Sequence, residues 1–265
     1  MRSSKDHGAT TALTRPWPLG LGTRYWWIPT ILAILAVVGA ALIDEPVSAW
    51  AQAWPKPVIK VMGTITSLGL SDWILIPSAI LFLATFVLAK VIRRRHMRTL
   101  LLYMASLYGF VFVGVGLPGL ITVILKRLIG RGRPTTLHDT GLFGFHPNLL
   151  DWTYQGFPSG HTTTIFAAAM VTAFLWPRLL SPALVVAVLV AVSRIALGDH
   201  YLSDVAGGTI VGVLGAYLAR WLFAQRRWIF AIQPGGGIRS RALSPALFLR
   251  LSRPGTARAP QQDRP

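Results

Sequence analysis

The sequence predicts an all-α fold, a six-helix transmembrane bundle whose polar site opens at the outer membrane face, and three observations carry that expectation. Only 13% of the 265 residues are charged and 53% are hydrophobic, with a mean hydropathy of +0.53, far less charge than a soluble domain of this size carries. Apolar runs long enough to cross a bilayer recur at Trp26–Leu42, Trp73–Val91, Leu100–Leu125, Thr162–Trp176, Pro182–Leu197 and Leu202–Phe223. The cations also sort by side. With the N-terminus inside, Arg2, Lys5, Arg15 and Arg24, the cluster Lys90, Arg93, Arg94, Arg95 and Arg98, then Arg178 and the arginine-rich tail all face the cytoplasm, which is the positive-inside pattern. The carboxylates Asp44, Glu45, Asp72, Asp139, Asp151, Asp199 and Asp204 fall on the opposite side.

Taken in order, residues 1–22 form a polar lead with Pro16 and Pro18, and residues 23–230 the membrane domain. Arg24, Tyr25, Trp26 and Trp27 suit an interfacial anchor at the entry of the first helix. No small-x-small cleavage pattern follows that helix, so it is expected to remain as an anchor. Asp44 to Lys60 reads as an outer loop with an amphipathic piece, in which Trp50 and Trp54 rest in the interface without a part in chemistry. The second span ends at the basic inner turn Arg93-Arg94-Arg95-His96, where His96 is a solvated headgroup contact.

The third span emerges on the outer side at Lys126-Arg127-Leu128-Ile129-Gly130-Arg131-Gly132-Arg133-Pro134. Four cations on the outer face run against the orientation rule, and an anionic ligand explains them. Gly130 and Gly132 are expected to loosen the chain around such a group. An aromatic-rich outer loop follows, with Phe143, Phe145, Trp152, Tyr154 and Phe157, able to act as a gate or simply to pack; His138 and His146 have no partner at helical or metal spacing. Ser159 can cap the fourth helix, whose free N–H groups, with Gly160 allowing close approach, form an anion seat. The fifth span delivers Ser193 and Arg194. In the sixth, Gly208, Gly212 and Ala216 make a ridge for close helix packing. Residues 231–265 are rich in Gly, Pro and Arg and are expected to be a mobile cytoplasmic tail.

The net charge of +17 does not point to nucleic acid, because the basic tail lacks aromatic interleaving and any binding module; anionic lipid at the inner surface accounts for it. The chain has no cysteine, which excludes disulfide and thiolate chemistry.

The outer face thus gathers Lys126, Arg133 and Arg194 as cations, Ser159 and Gly160 as neutral donors, the imidazoles of His161 and His200, and Asp204. Three cations with helix-end N–H groups match a tetrahedral dianion. If the last helix starts near His200, then Asp204, four residues on, shares its face and can orient the imidazole as a nucleophile or base. A metal site is disfavoured by too few carboxylates and too many cations, and nothing resembling a phosphate loop for nucleotides is present.

Lys126 with six residues before Arg133-Pro134, then Pro158-Ser159-Gly160-His161, then Ser193-Arg194 with five residues before His200 and three more before Asp204, resembles the three-part signature of the type 2 phosphatidic acid phosphatase (PAP2) superfamily. The resemblance spans the third to sixth runs and implies a PAP2/haloperoxidase-like helical bundle with the site outside. It implies that His200 is the nucleophile and passes through a phosphohistidine, that Asp204 orients it, and that His161 protonates the leaving oxygen and then activates water. Lys126, Arg133, Arg194, Ser159 and Gly160 would hold the phosphoryl oxygens, with no metal or other cofactor. Arg127 and Arg131 lie outside the pattern, as interfacial cations or as contacts to a second phosphate. The expected activity is hydrolysis of a membrane lipid phosphate in a bacterial inner membrane; undecaprenyl diphosphate, lipid A phosphates, phosphatidylglycerol phosphate and phosphatidic acid are candidates. Phosphoryl or phospho-headgroup transfer between lipids is the alternative.

Overall fold

The computed structural model describes residues 13–137, 141, 144–147 and 151–241. The start of the expected lead, the tail beyond residue 241, and the loop residues His138, Asp139 and Phe143 lie outside the described residues. The architecture is helical: α1 (Trp27–Leu42), α2 (Asp44–Gln52), α3 (Lys56–Ile65), α4 (Asp72–Val91), α5 (Arg95–Ile129), α6 (Gly160–Leu175), α7 (Leu180–Ala196) and α8 (Leu202–Gln225). One short antiparallel hairpin departs from the all-α expectation, β1 (Phe230–Ile232) with β2 (Ile238–Ser240), pairing Phe230 with Ser240.

α1 is apolar along its whole length and breaks at Ile43, whose backbone leaves helical geometry (φ −117°, ψ 12°). Asp44 and Glu45 then open α2, where carboxylates complement the positive end of the helix dipole. The two helices meet at a bend of 58°. α3 begins with Pro57 in its first turn, a position that lacks a helical N–H partner in any case. It runs through the 3-10 turn Thr66–Gly69 before α4 starts. The expected outer loop is therefore two helices, both packed against the bundle.

Six spans were expected, and the helices account for them unevenly. Lys56–Val91, Arg95–Ile129, Pro177–Ala196 and Leu202–Gln225 are long and apolar enough to cross a membrane, and the bent pair α1–α2 makes up to five. The remaining run, α6, has 16 residues, about 24 Å at 1.5 Å per residue against a hydrocarbon core of about 30 Å. α6 is enclosed by α5, α7 and α8, and nearly every side chain from Thr162 to Leu175 is buried. A helix surrounded by protein need not match the thickness of the lipid.

The glycine ridge of α8 makes that enclosure possible. A Cβ on Gly208 would lie 2.5 Å from the Ser159 carbonyl oxygen, and one on Gly212 would lie 2.5 Å from that of Thr163, so the two backbones touch. Toward the other end, Phe110 packs edge-on to Phe223 and Phe230 at 5.3 and 4.7 Å, which places the hairpin in the core. Buried Arg220 lies over the rings of Phe174 and Tyr217 and donates to the carbonyls of Leu13, Arg15 and Pro16. This fastens the N-terminal segment to α8. In contrast, Ile31, Leu32, Ile76, Ile80 and Leu83 on α1 and α4 remain exposed, as faces that meet hydrocarbon should.

Candidate active site

The residues singled out from the sequence gather at one end of the bundle, where α5 and α7 finish and α6 and α8 begin. α5 stops at Gly130, whose left-handed backbone (φ 64°) closes the helix with its N–H on the Lys126 carbonyl at 3.0 Å. A Cβ there would fall 2.2 Å from the His146 carbonyl oxygen, so Gly130 is required by a tight turn and does not loosen the chain. Residues 130–132 are held between two strands of loop: His146 N–H donates to Gly130 O at 2.7 Å, Gly132 N–H to Gly144 O at 3.1 Å, and Gly156 N–H to Arg131 O at 2.8 Å. The cation-bearing segment is thereby fixed in place before any ligand arrives.

Lys126 donates to the Gln155 carbonyl at 2.5 Å, and its stem lies beside Gly160, whose Cβ would sit 3.7 Å from Cε. Arg133 stacks over the Trp152 ring at 4.8 Å, so an aromatic side chain of the loop lies against the clamp. Arg194 donates to Thr66 Oγ1 at 2.7 Å. Gly69 presses on His161, since a Cβ there would lie 2.8 Å from the His161 Cβ. The turn Thr66–Gly69 is thus a wall of the site that sequence reasoning missed; it carries no motif and owes its place to long-range packing. The charges of Arg194, Lys126 and Arg133 all act on His161.

Asp199 was also missed as a site residue. Its carboxylate lies 2.9 Å from Arg194 Nη2 and 3.9 Å from Arg133 Nη1, occupying the pair of guanidinium groups that a phosphate would need. Replacing Asp199 with Asn is expected to tighten inhibition by inorganic phosphate about two- to fivefold, the gain that displacing a partly exposed ion pair of ~0.4–1 kcal/mol allows. An unchanged or weaker inhibition constant would show that Asp199 holds the arginines in place instead of competing with the anion.

Ser159 is buried but does not cap α6 as expected. Its N–H donates to the Asp204 carbonyl at 2.9 Å, its own carbonyl accepts from Thr163, and its Oγ accepts from Thr162 Oγ1 at 3.0 Å. His200 also lies before its helix and not on it. α8 starts at Leu202 with Tyr201 as N-cap, and Asp204, in the first turn, turns back to accept the Tyr201 N–H on Oδ2 at 2.9 Å. That return brings Oδ2 to 3.5 Å from His200 Nδ1, so the histidine meets the carboxylate through half of a capping box, and the i,i+4 helical face plays no part.

His200 is 2% exposed and Asp204 fully buried. Burial pushes the His200 imidazole down to about 3, with Asp204 pulling the other way and Lys126 assisting burial, so it is neutral at neutral pH and can offer a lone pair. Burial pushes Tyr201 up to about 12, which keeps it neutral too. Burial alone would lower the Arg131 pKa, but Asp204 and Asp44 together raise it. Arg131 is in fact 4% exposed, ion-paired to Asp44 at 2.8 Å and to Asp204 at 2.7 Å. It is neither an interfacial cation nor open to a second phosphate. Among the described residues, no three His, Cys, Asp or Glu side chains converge as metal ligands.

Residues 107–228 match the family model of the PAP2 superfamily. The chain is 31% identical to the lipid A 1-phosphatase of Rhizobium johnstonii over 229 residues, which is 85% of this chain and 93% of that protein. It is equally 31% identical to the lipid A 1-phosphatase of Rhizobium etli over 231 residues, 87% of this chain and 97% of that one. Among solved structures it is similar to a transmembrane PAP2-type phosphatidylglycerolphosphate phosphatase from Bacillus subtilis, at 26% identity and a TM-score of 0.49, covering 74% of this chain and 96% of that chain.

Proposed function

The chain belongs to the PAP2 superfamily, in its bacterial membrane lipid phosphatase branch, and from that premise we propose which residues perform the reaction, on which lipid, and on which side of the membrane. The activity itself is metal-independent hydrolysis of a lipid phosphate group by a multi-pass inner-membrane enzyme.

In the proposed mechanism, Nε2 of neutral His200 attacks phosphorus while Asp204 holds Nδ1–H. The bond from phosphorus to the lipid oxygen breaks, and His161 supplies the proton that this oxygen takes. His161 then accepts a proton from water, the resulting hydroxide attacks phosphorus, and the bond to His200 breaks to release inorganic phosphate. Lys126, Arg133 and Arg194, with the Ser159 hydroxyl and the Gly160 N–H, hold the phosphoryl oxygens as charge shifts between them. The observation that carries this assignment is the buried contact of His200 with Asp204 at the foot of the cation cluster.

The substrate proposed is lipid A carrying a 1-phosphate, supported by the two relatives matched over nearly their whole length. Purified enzyme in detergent should release phosphate from bisphosphorylated lipid A at least about tenfold faster, in kcat/KM, than from phosphatidic acid or undecaprenyl diphosphate, a preference of roughly 1.4 kcal/mol. Equal rates on all three would leave a lipid phosphatase of broad specificity.

The proposed topology has six crossings, with the bent pair α1–α2 and the short α6 counted as spans, and the site facing the periplasm. Lys90 to Arg98, Arg178 and Arg226 to Arg227 lie at helix ends opposite those that carry the site, the asymmetry that sets orientation. In this cysteine-free chain, a cysteine at exposed Thr135 should react with an impermeant thiol reagent on intact spheroplasts, and one at exposed Met97 should not. The reverse labelling pattern would place the reaction in the cytoplasm.

A further inference from the structure

Asp44 is fully buried at the break between α1 and α2, in a stretch whose sequence suggests only a surface loop. It accepts three hydrogen bonds from two residues. Oδ2 accepts from Arg131 Nη2 at 2.8 Å and from Ser203 Oγ at 2.5 Å, and Oδ1 accepts the Ser203 N–H at 2.9 Å. Arg131 uses its other terminal nitrogen on Asp204 Oδ1 at 2.7 Å and on Ser203 Oγ at 2.5 Å, and its guanidinium lies over the Tyr201 ring at 4.7 Å. A continuous chain thus runs Asp44, Arg131, Asp204, His200, with Ser203 bridging its first two members.

The charge arrangement gives this chain a purpose beyond packing. Arg131 paired with Asp204 alone would neutralise that carboxylate and draw its electron density away from the imidazole. A second carboxylate on the far side of the guanidinium restores one net negative charge to the group, and the Tyr201 N–H pins Asp204 Oδ2 toward Nδ1. Asp204 is then held on both oxygens, with rotation blocked and charge retained, the support that outer partners give to a working histidine.

We infer that Asp44 and Arg131 are positioning residues for the phosphatase reaction, fixing the orientation and charge of Asp204 so that His200 attacks in one geometry. This rests on the assignment of His200 as nucleophile. Neither residue touches substrate, so their loss should slow chemistry without weakening binding.

The test is rapid-mixing kinetics with para-nitrophenyl phosphate in detergent micelles, in which the burst amplitude counts competent sites and the burst rate constant reports phosphorylation at each of them. Asp44→Asn and Arg131→Gln should each lower the rate constant and kcat at least about tenfold with KM within about twofold, and the double variant should be no slower than the worse single, as members of one chain behave. If Asp44→Asn is not recovered folded, Ser203→Ala and Arg131→Lys replace it, each expected to lower the rate constant at least about threefold. A fall in amplitude with an unchanged rate constant, or losses that multiply in the double variant, would overturn the inference and leave a structural ion-pair network. His200→Ala, run in parallel, keeps the two assignments apart. An inactive His200→Ala beside normal Asp44 and Arg131 variants sinks only the positioning role, whereas an active His200→Ala sinks the nucleophile assignment.

Discussion

Replacing His200 with alanine is expected to abolish turnover, by at least about 10⁴-fold, and with it any acid-labile phosphoenzyme. The size of the effect follows from the surroundings of the imidazole. His200 is the neutral base at the centre of a buried group whose other members, Asp204, Arg131 and Lys126, are charged or already engaged, and alanine leaves the phosphoryl group clamped with nothing to attack it. The variant should extract and unfold much like the parent, because the imidazole meets Asp204 only at 3.5 Å and its loss leaves Asp204 still held by Arg131 and the Tyr201 N–H. Radiolabelled phosphate recovered on a histidine of the His200→Ala protein would assign the nucleophile to His161 instead.

His161→Ala should have the next largest effect, and its size should depend on the leaving group. With a lipid alcohol or sugar oxygen departing, loss of the proton donor is expected to lower kcat by about 10²–10⁴. With para-nitrophenyl phosphate, whose leaving group departs as a stable anion, phosphorylation should fall far less. Hydrolysis of the phosphohistidine would then become limiting, so the intermediate accumulates. Equal losses on both substrates would remove His161 from the acid role and leave it as a part of the pocket wall held by Gly69.

The three motifs were legible because each is a local string whose members lie at a helix end or in the turn beside it, and the topology of antiparallel helices carries those ends to one face. Lys126, Arg133, Ser159, His161, Arg194, His200 and Asp204 could all be placed in this way. What the sequence could not display were pairings made across the chain. Asp44 meets Ser203 over a separation of 159 residues and Arg131 over 87, and Thr66 meets Arg194 over 128; no periodicity or spacing encodes such contacts. Arg131 shows the resulting error most clearly. Read as one of four cations on an outer loop it looks available to a ligand, and only its two buried carboxylate partners reveal that its charge is already used. The contact of His200 with Asp204 was foreseen for a different reason from the one observed, since i,i+4 spacing in a helix and a first-turn side chain folding back to the N-cap both bring residues 200 and 204 together. The span count had a similar limit. Hydropathy finds apolar runs but does not tell a helix facing lipid from one enclosed by others, which is the difference between α4 and α6.

The bend that places Asp44 has a consequence for how the protein is made. Synthesis proceeds from the N-terminus, so α1 and α2 are made while the partners of this carboxylate do not yet exist. At roughly 5–20 residues per second, the 87 residues to Arg131 take about 4–17 s to appear, and Ser203 comes later still. In the proposed topology the break between the helices leaves Asp44 near the water-facing end of α1 throughout that interval, while an unbroken helix would carry it into hydrocarbon at a cost of several kcal/mol. In that topology the kink gives the carboxylate a place to wait until its counter-ion has been translated, and the reactive centre is complete only once Ser203 and Asp204 at the start of α8 have been made.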